Sequence, residues 1–80
     1  MIKLDQQVET LRTLEVGNVF EEGNLIPGLP GEELVWRVMT INEGEKVRTV
    51  TFSLYLYDIW VGDIDGTVSL ESPVVHWEAE

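Results

Sequence analysis

Asp63-x-Asp65-Gly66 sets oxygen ligands at alternate positions before a glycine, the spacing by which a calcium loop gathers a hard cation. The frame does not close. With Gly66 at the sixth position, the first position is Val61 and the twelfth is Ser72, so the two carboxylates such a loop depends on most are missing. An ordinary Asp-Gly hairpin turn accounts for the same residues. His76 is the one imidazole and the chain has no cysteine, which removes the donors of a transition-metal site. For nucleophilic catalysis only Ser53, Ser69, Ser72 and His76 offer raw material. Ser72 and His76 lie across Pro73 in extended chain, about 13 Å apart at about 3.3 Å per residue, and do not pair locally. Gly28, Gly31, Gly44, Gly62 and Gly66 neither match a phosphate loop nor open a helix. The chain is therefore expected to have no metal, no cofactor and no enzymatic activity.

What the sequence does concentrate is charge. Fifteen Asp and Glu stand against five Lys and Arg, a formal net charge of -10 on 80 residues. Such a surface repels nucleic acid and anionic lipid and attracts basic protein. Two readings follow: the acidity keeps a small domain soluble, or it steers the domain to a basic partner. Glu43 with Glu45, Asp63 with Asp65, and Glu78 with Glu80 are i, i+2 pairs, and in extended chain each faces one side about 6.6 Å apart, close to phosphate spacing. Tyr55, Tyr57 and Trp60 add aromatic anchors of the kind that dominate interfaces. The candidate partner-binding residues are accordingly Glu43, Glu45, Tyr55, Tyr57, Trp60, Asp63 and Asp65.

The elements that must position them are mostly strands. Leu4, Val8 and Leu11 recur at helical spacing, and the first expectation is a short helix over about 4–13, capped by Asp5, with Gln6, Gln7, Glu9 and Arg12 facing water. Its rival is extended chain, because Val8, Thr10, Thr13 and Val16 are β-branched. Residues 13–20 read as a strand approaching a turn at Gly17-Asn18. Residues 21–33, with Gly23, Pro27, Gly28, Pro30 and Gly31, form an apolar loop that either packs over an open edge or contacts a partner. A hairpin spans 34–57 around Asn42-Glu43-Gly44-Glu45. In its second arm Val50, Phe52, Leu54 and Leu56 point to the core, while Thr49, Thr51, Ser53, Tyr55 and Tyr57 take the other face. A second hairpin spans 59–71 with its turn at 62–66, and Pro73 introduces an edge strand over 74–78. The expected core is Trp36, Val38, Val50, Phe52, Leu54, Leu56 and Val68. The fold class is mostly β (β or α+β): a five- to six-stranded antiparallel barrel or a strongly bent sheet, with a short N-terminal helix.

Leu14-Glu15-Val16-Gly17-Asn18-Val19-Phe20, followed after a long loop by Glu33-Leu34-Val35-Trp36-Arg37-Val38, resembles the opening of many small SH3-like β-barrels. The resemblance covers about the middle third of the chain. It implies a fold and no function, because such barrels serve many unrelated ones. In size, acidity and lack of a catalytic kit the chain is also similar in type to bacteriophage accessory proteins, including inhibitors of host defence.

Apolar residues make up 44% of the chain, enough for one core and too many for a disordered tail, so residues 1–80 are expected to form a single domain. The absence of cysteine suits a reducing compartment, and the chain has neither an apolar signal core nor a run of the roughly 18 apolar residues that span a bilayer. Cytoplasm is the expected location. These features point to a non-enzymatic acidic module, monomer or closed homodimer, that binds another protein with a basic surface and contacts neither nucleic acid nor membrane. One form of that reading is a phage-type inhibitor that mimics nucleic acid. The alternative is a virion structural or assembly adaptor that associates through β edges.

Overall fold

Leu4, Val8 and Leu11 do wind into a helix, and the alternating residues that follow pair into one antiparallel sheet. In the computed structural model, which describes residues 3–20 and 34–79, α1 is Leu4–Thr13 and β1 is Val19–Phe20. Three long strands follow, β2 Leu34–Glu43, β3 Val47–Leu56 and β4 Ile59–Ser69, and then the short β5 Val75–Ala79. Strand order equals chain order, and β2–β3, β3–β4 and β4–β5 are each joined by a short turn or link. The chain is mostly β. The sheet is unclosed among the described residues, since β1 and β5 are its two ends. The apolar loop expected over 21–33 lies outside the described residues.

One face of the sheet is the core. Trp36, Val38, Val50, Phe52, Leu54 and Val68 are buried there, joined by Leu34 and Ile64 from the sheet and by Val8 and Leu11 from α1, which crosses β3, β4 and β5. Leu56 is only partly buried. Trp36 stands edge-on to Phe52 at 5.2 Å between ring centroids, and Trp77 of β5 completes an aromatic trio 6.0 Å from Trp36 and 6.1 Å from Phe52. Trp36 and Phe52 are fully buried, so truncating either leaves a cavity as well as losing transfer energy.

Two arginines lock the helix onto this layer. Helix C-termini leave carbonyl oxygens without partners, and Arg48 reaches from β3 to donate to the Leu11 and Leu14 carbonyls. Arg12 spans from the helix to the β4–β5 link, donating from Nε (3.0 Å) and Nη2 (2.7 Å) to the Ser69 carbonyl and from Nη2 to that of Ser72 (3.1 Å). Arg12 therefore does not simply face water, as its helical position suggested. Gln7 is also buried, because the Trp77 indole N–H donates to its Oε1 at 3.3 Å. Asp5 sits inside the first turn rather than ahead of it; the N-cap is Lys3, whose N–H donates to Gln6 Oε1 at 3.2 Å.

The largest departure from the sequence reading is in β4. Residues 62–66 are not a hairpin turn: Ile59–Ser69 runs as one strand, and Asp65-Gly66 lies in its middle, paired with Thr51 and Val50 of β3. The physical reason is across the sheet. Gly66 faces Trp77, and a Cβ at that position would lie 2.6 Å from the indole Cζ3. The glycine is bare so that the ring can lie on the strand. The turn that joins the second hairpin is instead Tyr57-Asp58, both with positive φ (49° and 64°), which matches the two-residue turn whose twist suits a hairpin.

Candidate functional site

The second face of the sheet carries no helix among the described residues. This face is mostly polar, as a face of an antiparallel sheet away from the core can be: β3 supplies Thr49, Thr51 and Tyr55, which are half-buried, and Ser53, which is buried. These residues oppose Thr67, Asp65, Asp63 and Trp60 of β4. A ladder of side-chain hydrogen bonds joins the two strands. The Thr49 and Thr67 hydroxyls are 3.1 Å apart, Thr51 Oγ1 donates to Asp65 Oδ1 at 2.6 Å, and Ser53 Oγ donates to Asp63 Oδ1 at 3.0 Å. The Trp60 indole N–H also donates to Asp63 Oδ1, at 2.9 Å. Thr51, Ser53 and Trp60 thus all donate to Oδ1 of these two carboxylates.

A bulge puts Trp60 in this row. The β3–β4 register shifts between Leu54, opposite Gly62, and Tyr55, opposite Trp60, which leaves Val61 as the extra residue. Without that shift strict alternation would place Val61 and Ile59 on the face of Asp63. Bulges commonly re-aim a side chain in this way. Gly62 holds φ at 147°, a backbone region that other L residues rarely adopt, and so makes the shift possible.

Of the seven candidate residues, the structure places five along the stretch from the β3–β4 turn to the middle of this face. Tyr55, Trp60, Asp63 and Asp65 are neighbours on it, and Tyr57 stands at the adjoining turn. Tyr57 and Trp60 are 68% and 58% exposed, and with Ile59 and Val61 they form an apolar tip. Tyr57 is held in the left-handed region at φ 49°, which costs an L residue about 1–2 kcal/mol. Glu43 and Glu45 are not part of this group. They lie toward the opposite end of β3: Glu43 is opposite Arg48, which at about 3.3 Å per residue is about 10 Å along the strand from Thr51, the partner of Asp65, and about 23 Å from Tyr55. Glu43 is in an ion pair with Arg48 at 3.3 Å, while Glu45 is exposed in the turn.

Residues outside the seven candidates adjoin the group, among them Glu78, noted in the sequence only as an acidic pair with Glu80. Glu78 of β5 is directly opposite Asp65, and like charges so placed repel by a few tenths to about 1 kcal/mol. Val19, Val35, Arg37, Tyr55 and Asp58 line a shallow groove of about 270 Å³ on the same face. With Arg12 and Arg48 turned inward, the exposed cations among the described residues are Lys3, Arg37 and Lys46. The surface is thus more one-sidedly acidic than the composition states. Arg48 was detectable from alternation alone, since it has the parity of Val50, Phe52 and Leu54.

Among the described residues no group of three or more His, Asp and Glu is placed to hold a metal ion. Among the described residues no helix is long and apolar enough to cross a membrane. No protein-family model, curated protein or solved structure matches the chain.

Proposed function

We propose that this chain is a non-enzymatic binding module whose open sheet face docks on the basic, nucleic-acid-binding surface of another protein. The observation that carries the reading is the pairing of Asp63 and Asp65 with fixed donors beside the exposed Trp60. Carboxylates whose rotamers are already set lose less conformational freedom on binding, which raises affinity without new contacts. The Asp65–Glu78 repulsion acts in the same direction, because a cation from the partner relieves it. Tyr55, Tyr57 and Trp60 supply the apolar anchors, and the net charge of -10 speeds the encounter. In the nucleic-acid-mimic form of the proposal, the chain is a phage-type inhibitor that displaces DNA or RNA from a host protein in the cytoplasm.

Titration with a basic nucleic-acid-binding protein, followed by NMR, tests this. The Trp60 indole N–H and the β4 amides around Asp63 should shift first, and added DNA should reverse the shifts by competition. Shifts confined to α1 would refute the assignment of the face. The adaptor reading rests on a different feature, the unpaired outer edge of β5 among the described residues, and would show as mass growth independent of any basic partner.

A further inference from the structure

A strand at the end of a sheet exposes a row of backbone donors and acceptors, and folds usually blunt it with lysine, proline or a bulge. β5, Val75-His76-Trp77-Glu78-Ala79, ends the sheet among the described residues, carries no lysine, proline or bulge, has Glu78 as its one carboxylate, and pairs regularly with β4 throughout. We infer that β5 is a self-pairing edge, joining two copies of this chain antiparallel about a two-fold axis at Trp77. The inference does not depend on the basic-partner reading.

The register follows from faces and charges. His76 pairs with Thr67 and Glu78 with Asp65, so both lie on the open face, while Val75, Trp77 and Ala79 have the opposite parity. A two-fold axis perpendicular to the sheet keeps each face continuous only if residues of like parity oppose one another. Axes at His76, Trp77 and Glu78 meet that condition for β5. The axis at Glu78 sets glutamate against glutamate across the interface, which is repulsive. The axis at His76 sets imidazole against imidazole and leaves Glu78 opposite Val74. Only the axis at Trp77 places His76 of each copy opposite Glu78 of the other, twice, with Val75 opposite Ala79 beneath. An imidazole ring N–H donates to a carboxylate in either protonation state of the ring. The core side is compatible too: the Trp77 ring lies over Gly66 of β4, directed inward from the edge. The result is a closed pair with a doubled open face, since each β5 edge is used once.

Cysteine cross-linking reads the register directly, and the chain has no native cysteine to confuse it. Directly opposed antiparallel residues have Cα atoms about 4.5–5.5 Å apart, within disulfide range, whereas residues one pair further along do not. A mixture of H76C and E78C chains under mild oxidation should give a dominant mixed disulfide, with little H76C homodimer or E78C homodimer. Homodimers of either variant in excess of the mixed species would place the axis elsewhere and overturn the inference. Sedimentation of the native chain provides the second arm. H76E should weaken the dimer by about ten-fold by opposing glutamates, and the swap H76E with E78K should restore it. A native chain that remains monomeric up to its solubility limit, or a swap that fails to restore pairing while the circular dichroism is unchanged, would equally overturn it.

Discussion

Replacing Gly66 by alanine tests the packing that most distinguishes this sheet from its sequence reading. The added Cβ would lie 2.6 Å from Trp77 Cζ3 and 3.0 Å from Cε3 and Cη2, where ordinary contact begins at 3.4 Å. The indole must therefore move by most of an ångström. It is not free to do so cheaply, because it packs against Trp36 and Phe52 and donates to Gln7. Overpacking of this kind costs about 1–3 kcal/mol. The alanine also restricts the unfolded chain, which returns about 0.4–1 kcal/mol. Gly66→Ala should thus be destabilised by about 1–2 kcal/mol in urea unfolding, with altered tryptophan fluorescence in the folded state. A cycle with Trp77→Leu isolates the cause, since Gly66→Ala should cost little once the large ring is gone. A Gly66→Ala protein as stable as the native one, with unchanged fluorescence, would show that the glycine is not a seat for Trp77.

Phe52→Ala removes a fully buried ring from the aromatic trio and should cost about 3–5 kcal/mol, which thermal unfolding by circular dichroism would register as a largely unfolded domain. Arg48→Met keeps the aliphatic stem but withdraws the donors from the Leu11 and Leu14 carbonyls, and should cost about 1–3 kcal/mol in urea unfolding with early loss of helical signal. Tyr57→Gly relieves the left-handed residue and should stabilise the hairpin by up to about 1 kcal/mol while raising the dissociation rate from a partner, an opposition that surface plasmon resonance and melting curves would expose together.

The parts of the fold that were legible in the sequence are those set by local period. Helical spacing of Leu4, Val8 and Leu11 gave α1, and alternation from Val50 to Leu54 gave the buried face of β3. The misreading at Asp65-Gly66 has a nonlocal cause. The same dipeptide that suits a turn also suits a strand on which an indole must lie, and Trp77, eleven positions further on, decides between them. The true turn was hidden because Tyr57-Asp58 holds positive φ without glycine or asparagine. The site was legible to a similar degree. Parity placed Tyr55 on the outer face, but Trp60 joins Asp63 only through the bulge at Val61, and bulges leave no period to read. Glu43 looked like a free tip charge because its partner, Arg48, was not recognised as a core-face residue.

Association kinetics with a basic partner protein, measured as a function of salt for the native chain and for Asp63→Lys with Asp65→Lys, decide whether the acidic face steers binding. Both residues are half-exposed on the open face and belong to no part of the core, so the fold should persist. The association rate should fall steeply with ionic strength in the native chain, and in the variant it should be lowered about ten-fold or more with a flattened salt dependence. A folded variant that binds at the native rate, or native binding indifferent to salt, would contradict that steering and leave the acidity as a device for solubility.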